Sequence, residues 1–397
     1  MRIGVLDYRM DHYSYLRAII NKVPSTHYLG VKDLYSLTNR GSKKINSLIN
    51  KPLINTFDLN NQFNDFGFNR VDLIHLFNGV SYAHSPWVSS FETVLPRLRN
   101  IVTRHQGDVI KKIEFKGKNK RAFLAMSGKA CKALLPMSHN SALMQRDLLQ
   151  DIPEEIAESI CSKIKVLHPP QELLITDVNQ KQFNFDDKLR FMFVGAGFFR
   201  KGGREILTVF EKLVREKSYP IELIIISSLY MDHYAAHETE ADVIWAKEKI
   251  ASNLDWITYY SNLPNSEVLG LMKRAHIGLL PTYADTYGYS VLEFQASGCP
   301  VITTNIRALP EINNDQVGWL IDVPRNSLGE ALYTTESARR ELGNRISGGL
   351  ESIIEQIMLE PKLILKKSQS AFEQIRNNHD PADYGERLTQ IYRDALR

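Results

Sequence analysis

The stretch PTYADTYGYSVLEFQASGCPVITT, residues 281–304, decides how this chain is read. The apolar run at 277–281 predicts a buried strand, Gly288 opens a helical pattern that Gly298 stops, and 301–304 predicts the next strand. A strand, a short loop and a helix N-terminus make an anion site, because backbone N–H groups and the positive end of the helix dipole face the loop. Gly288 lets a ligand come close to the backbone. Asp285 stands at the mouth of the loop, and Glu293 falls in the second helical turn, too deep to cap the dipole. A buried carboxylate needs a partner, and a pair of ribose hydroxyls would serve. Spacing alone favours a plainer alternative, with Asp285 as a loop cap and Glu293 as a solvated helix residue. The surrounding sequence reverses that preference.

Outward from this segment, short apolar runs alternate with helical patterns. Strands are expected at 3–6, 71–77, 87–91, 133–137 and 164–167, then at 191–194, 221–227, 256–260, 277–281 and 301–304. Three- and four-residue apolar spacing marks helices at 204–215 and 266–274. Such alternation implies parallel sheets with helices on both faces. The paired prolines of LHPPQ, 167–171, cannot continue a helix or a central strand, which places an interdomain linker there with His168 as a hinge residue. The tail DPADYGERLTQIYRDAL, 380–396, opens on an Asp-Pro helix start. The polar pattern at 331–358, broken at Gly343, Gly348 and Gly349, predicts an insertion or a pair of surface helices.

Composition narrows the class. A chain of 397 residues suits two domains, and 43% hydrophobic with 24% charged residues is an ordinary globular mix. Net charge is 49 − 45 = +4, too mild to make nucleic acid the main partner. Cys131, Cys161 and Cys299 are far apart and odd in number, so neither a disulfide framework nor a zinc site is expected, and a reduced, cytoplasmic compartment fits. The start MRIGVLDYRM has no basic region followed by an apolar core, so no signal peptide is expected. No apolar run reaches the roughly 18 residues of a membrane-spanning helix.

A second motif, FMFVGAGFFRKGGREIL at 191–207, repeats the strand, glycine loop and helix. Gly195-Ala196-Gly197 is a weak signal by itself, since no GxGxxG follows. Arg200 and Lys201 stand at the far end of this loop, before Gly202-Gly203. Taken alone, such a pair is a solvated turn.

The run from Ala275 to Pro324 resembles the donor-site signature of glycosyltransferase family 4, a retaining family with the GT-B fold. The resemblance rests on Asp285 and Glu293 separated by seven residues, then Ala296-Ser297-Gly298-Cys299-Pro300-Val301, then Leu309-Pro310-Glu311 and Gly318-Trp319-Leu320. It covers nearly all of the second half. It implies an α/β chain of two Rossmann-like domains separated by a cleft: an N-terminal acceptor domain at 1–168, joined by a C-terminal helix at 380–397 that crosses back to it, and a nucleotide-sugar domain at 169–379. By this resemblance Glu293 binds the nucleotide ribose and Asp285 the hydroxyls of the donor sugar, one methylene shorter than the family's usual Glu. The backbone around Tyr287, Gly288, Tyr289 and Ser290 receives the diphosphate. Lys201, with Gly197 and Arg200 in its loop, neutralises the departing diphosphate, where a fixed cation lowers the barrier. The family's arginine after the first glycine is Ala196 here, and Arg200 is the candidate to replace its charge.

The first half carries less pattern. CKALLPMSHNSA, 131–142, resembles the family's strand ending in Ser before a helix, while Arg9-Met10-Asp11-His12 stands where a glycine-rich loop is usual. In PWVSSFE, 86–92, Glu92 takes the place of a family histidine near the reaction centre, with His84 and His105 as nearby alternatives. The basic run KKIEFKGKNKR, 111–121, is first a solvated face and second a contact for anionic lipid headgroups at the inner face of the plasma membrane.

The expected activity is therefore retaining glycosyl transfer from a UDP- or GDP-linked sugar to a glycan, lipid-linked or small-molecule acceptor, for cell-surface polysaccharide or glycoconjugate synthesis. No cofactor beyond the donor and no metal are expected, because no Asp-x-Asp motif is present and the cations do that work. Two alternatives stand beside it: another GT-B enzyme such as an epimerase or phosphorylase, and a non-catalytic scaffold or partner subunit, suggested by Asp285 and Ala196.

Overall fold

A computed structural model describes residues 1–49, 56–181 and 188–397. The chain divides into two compact units, Met1–His105 with Ile110–Pro170 and His379–Arg397, and Gln106–Val109 with Gln171–Asn378. The break falls after the paired prolines. The short segment Gln106–Val109 goes with the second unit, where the Asn326 side chain donates to the Gly107 carbonyl at 2.9 Å.

The first unit is built on β1 (Arg2–Leu6), β2 (His27–Val31), β4 (Leu73–Phe77), β6 (Trp87–Phe91) and β7 (Cys131–Pro136), all parallel in the order β2-β1-β4-β6-β7. A two-stranded ribbon of β3 (Gln62–Phe63) and β5 (Val80–Ser81) lies apart. Strands β4 and β6 are buried at every position, as expected of a parallel sheet covered on both faces. The expected strand at 164–167 is absent. Ile164 makes one bridge to Leu134, and the chain then runs beside β7 through Leu167 N–H to Pro136 carbonyl before the prolines end it. β2 escaped the sequence reading because this mostly exposed edge strand, HYLGV, carries His27 and Gly30 and lacks the continuous apolar run that marks its neighbours.

The C-terminal helix Pro381–Ala395 closes this unit. Asp380 caps it by accepting the N–H groups of Ala382 and Asp383, and Tyr384, Leu388, Ile391 and Tyr392 pack on Ile3, Leu73 and Val88. Beneath it, His75 is fully buried, with Nδ1 2.7 Å from the Tyr392 hydroxyl and Nε2 2.9 Å from the Ser90 hydroxyl. Burial pushes the His75 ring down to about 3.

The second unit has β8 (Leu189–Val194), β9 (Ile221–Ile226), β10 (Ile257–Tyr260), β11 (Ile277–Leu280), β12 (Val301–Thr304) and β13 (Trp319–Ile321), all parallel in the order β10-β9-β8-β11-β12-β13. The chain winds outward from β8 to β10, returns to β11, and winds out the other way. That reversal creates a switch point between β8 and β11, where the loops leaving their carboxyl ends diverge and ligands of such sheets bind.

The region expected to be an insertion or two surface helices is one helix, Glu336–Leu359. Its Leu342, Ile346, Leu350, Ile354 and Ile357 form a buried stripe, so it is a core element. Of the three glycines read as breaks, Gly343 and Gly349 are close-packing positions, while Gly348 faces open space. A Cβ on Gly349 would stand 2.5 Å from Ile321 Cγ2, and one on Gly343 would stand 2.7 Å from the Tyr283 hydroxyl.

Two stability outcomes follow for the first unit. Tyr392→Phe leaves His75 Nδ1 buried without its hydroxyl partner and is expected to cost about 1–3 kcal/mol in denaturant unfolding. Burial also holds His168 and His379 at about 4, against an ordinary value of 6.5. The unfolded chain takes up protons that these three histidines refuse in the native unit. Stability is thus full above about pH 6.5 and falls as pH drops toward 4, a slope that urea titrations at successive pH values read directly.

Candidate functional site

The switch point of the second sheet is framed by two loops. One, 195–202, links β8 to the helix Gly203–Arg215; the other, 281–288, links β11 to the helix Tyr289–Ala296. The loops are fastened by backbone. The Tyr283 N–H donates to the Arg200 carbonyl at 2.8 Å, and the Thr282 hydroxyl reaches the same oxygen at 3.0 Å. Gly202, with φ +83°, lies so close to β11 that a Cβ there would land on the Pro281 carbonyl oxygen. Only glycine takes this left-handed conformation at such an approach without strain.

The fastening brings Lys201 to Asp285. Lys201 Nζ is 3.7 Å from Asp285 Oδ2, and both side chains are more than four-fifths buried. The lysine stem lies across Gly195, where a Cβ would meet Lys201 Cδ at 2.5 Å. The other carboxylate oxygen, Asp285 Oδ1, accepts the N–H of Gly288 at 2.9 Å and of Tyr287 at 3.2 Å. Asp285 therefore serves both as the loop cap and as the carboxylate facing the lysine. Gly288 is the N-cap of the following helix at φ +88°, held against Leu309, and offers no side-chain acceptor to the first turn. Ser290 and Glu293 are half-buried in that helix, and Glu293 follows Tyr289 by four residues on the same face. Tyr287 is buried and packs at 5.5 Å from the Tyr289 ring.

Arg200 is engaged differently from the sequence expectation of a replacement cation. Its Nε donates to Asp232 Oδ2 at 2.5 Å and its Nη1 to the Ala284 carbonyl at 2.6 Å, so it is a strut between the loops with its charge balanced. Gly197 packs against this pair, since a Cβ there would stand 2.7 Å from Asp232 Oδ2. Sequence reasoning missed Asp232, and missed Glu238, whose Oε1 accepts the N–H of Asp232 at 2.6 Å and of His233 at 3.2 Å. The segment carrying them has no periodic pattern to signal it. It also missed Arg307, at φ +44° after β12, buried in an ion pair with Glu330 that Tyr333 joins at 2.8 Å.

In the first unit, Glu92 follows β6 at the carboxyl edge of its sheet. Its N–H donates to Asn78 Oδ1, its carboxylate lies 3.9 Å from Arg97 Nη1, and Ser141 donates to its carbonyl. His84 is exposed and His105 is buried. The basic run splits: 111–116 is non-helical and 117–121 opens the helix Gly117–Ser127. There Lys116 pairs with Glu114, Lys118 with Asp58, and Arg121 stacks 4.4 Å from the Tyr82 ring centre.

Comparison with known proteins agrees with this geometry. Residues 175–345 match the family described as glycosyl transferases group 1. The O-antigen chain mannosyltransferase B of Escherichia coli is 26% identical over 124 residues, 31% of this chain and 30% of that protein. The glycogen synthase of Mycobacterium tuberculosis is 22% identical over 207 residues, 52% of this chain and 42% of that protein. The chain thus spans less than half the length of these relatives. Among solved structures, a glycosyltransferase from Rickettsia africae matches with a TM-score of 0.56 at 14% identity, over 94% of this chain and 86% of that one. The Anabaena protein HepE, solved with UDP, matches with a TM-score of 0.55 at 10% identity, over 92% and 85%. These likenesses establish a GT-B fold of two Rossmann-like domains.

Gly202→Ala tests the fastening. Left-handed strain together with a collision against fixed backbone is expected to cost about 2–4 kcal/mol in the second unit, read as a lowered denaturation midpoint.

Proposed function

We propose that the protein transfers a sugar from a nucleotide-diphosphate sugar, UDP- or GDP-linked, to a glycan, lipid-linked or small-molecule acceptor, with retention of configuration. The observation that carries this reading is the placing of Lys201 beside Asp285 and the Gly288 helix entrance at the switch point of the second sheet. An ammonium and a helix N-terminus converging on one loop suit a diphosphate, whose negative charge grows as the sugar leaves. In this reading Lys201 stabilises the leaving group, the backbone at 287–290 receives the phosphates with Gly197 opposite, Glu293 holds the ribose, and Asp285 holds a donor-sugar hydroxyl. Arg200 keeps the two loops in register. The second unit is thereby the donor domain and the first the acceptor domain, where Glu92 orients the acceptor. The cations are proposed to replace a catalytic metal.

Cell-surface polysaccharide or glycoconjugate synthesis, in the cytoplasm, is the proposed setting. Among the described residues no helix is long and apolar enough to cross a membrane. A peripheral contact with anionic lipid would fall to Lys111, Lys112, Lys120 and Arg121, the members of the basic run not paired with a carboxylate among the described residues. A second reading, a non-catalytic GT-B scaffold, draws on Ala196 carrying no charge and on Arg200 being already neutralised by Asp232.

Calorimetric titration with UDP, GDP and ADP, with and without EDTA, separates the two. One nucleoside diphosphate is expected to bind and to resist EDTA. Lys201→Ala is expected to weaken it about 10- to 100-fold, the worth of a charged hydrogen bond, and Glu293→Gln by a smaller factor. Folded protein that binds none of the three would leave the scaffold reading in place.

A further inference from the structure

The second unit holds a partly open pocket of about 50 Å³ lined by Arg204, Glu205, Glu238, Asp242 and Tyr283, with Phe199 among its apolar walls. Three carboxylates and one guanidinium give it two negative charges in excess. Arg204 is paired with Asp242, whose other oxygen accepts from the Thr239 N–H and hydroxyl at 2.7 and 2.8 Å. The two glutamates are each only half satisfied. Glu205 Oε1 accepts the Tyr283 hydroxyl at 2.7 Å, and Glu238 Oε1 accepts two backbone N–H groups. Glu205 Oε2 and Glu238 Oε2 are buried and have no hydrogen-bond partner among the described residues. The residues themselves are 5% and 4% exposed.

Leaving one buried carboxylate oxygen unmatched is costly, and two at one cavity call for a common partner. Burial pushes the Glu205 carboxyl up, against the pull of the Tyr283 hydroxyl. A proton on Glu205 would leave Glu238 unmatched, and would leave one of the two excess charges in place. Hard oxygen donors select hard cations, and a small divalent ion binds through one or two carboxylates while keeping several waters. The cavity has room for roughly three to five waters, at about 10–15 Å³ each.

We propose that this cavity is a structural site for a hydrated divalent cation of the Mg²⁺ class, held by Glu205 and Glu238. The ion ties the helix Gly203–Arg215 to the segment ending at Glu238, two elements that the sequence separates by more than twenty residues. It is distinct from the donor residues, so nucleotide-free protein suffices to test it.

The test uses full-length protein stripped with EDTA, then titrated with MgCl2 or MnCl2 against choline chloride at equal ionic strength. Expected is saturable binding of one Mn²⁺, seen as loss of the free Mn²⁺ paramagnetic resonance signal and reversed by Mg²⁺. Expected with it is a rise in Tm of about 5–10 °C at a hundredfold excess over Kd. Glu205→Gln and Glu238→Gln are each expected to melt at or above wild type without the ion and to lose the rise with it. No saturable Mn²⁺ binding by folded wild type would overturn the proposal, leaving water or a proton in the cavity. A rise undiminished in both variants would also overturn it by placing the ion elsewhere. If one variant fails to fold, the other and the wild-type resonance titration still decide.

Discussion

The candidate site depends on how closely the backbone at Arg200–Gly202 approaches the backbone at Pro281–Tyr283. Two loops leaving adjacent parallel strands in opposite windings have no intrinsic reason to meet beyond the sheet edge. Here they meet because the Arg200 carbonyl takes the Tyr283 N–H and because residue 202 has no side chain to hold Pro281 away. Once main-chain groups fix the loops, Lys201 and Asp285 inherit the accuracy of the sheet, and the Arg200–Asp232 pair braces the same junction from the loop after β9. A site built this way gains precision from rigid elements while keeping its chemistry on loops.

Much of this was legible because the strands that form the switch point are continuous apolar runs punctuated by glycine. Phe191–Val194 and Ile277–Leu280 are signals that survive any change of surface, and the resemblance at 275–324 locates Asp285 and Glu293 without reference to packing. What failed to show were features whose cause lies across the fold. β2 is an edge strand that needs no apolar run. The helix Glu336–Leu359 looked broken because its glycines were read as stops, whereas Tyr283 presses where a Gly343 side chain would be and Ile321 does the same at Gly349. Asp232, Glu205 and Glu238 are ordinary acids in sequence, and only the fold sets them against Arg200, Tyr283 and each other.

The first unit shows the same division between local and distant causes. Asp380-Pro381 announces the last helix by local rules alone, and its apolar stripe says that one face is buried. What it covers is settled by a polar contact across 317 positions, His75 to Tyr392, inside an otherwise apolar layer. A satisfied buried pair of this kind adds direction to a hydrophobic surface, which by itself would tolerate rotation or sliding of the helix. That is a packing account of why the tail belongs with the first unit, and it owes nothing to chemistry at the site.

The two cations of the 195–202 loop end in different chemical states, and that difference assigns their work. Arg200 uses its planar fork on a carboxylate and a carbonyl at short distances, so moving it would strip Asp232 Oδ2 of its cation and weaken the loop junction. Lys201 approaches Asp285 at 3.7 Å, close enough for attraction and too long for a hydrogen bond. Its three N–H donors therefore remain available to an incoming oxygen, while the carboxylate keeps the ammonium pointed at the loop. Asp285 cannot follow the lysine away, because its second oxygen is bound by the Tyr287 and Gly288 N–H groups. The shorter acid thus fixes the helix entrance without claiming the lysine's donors.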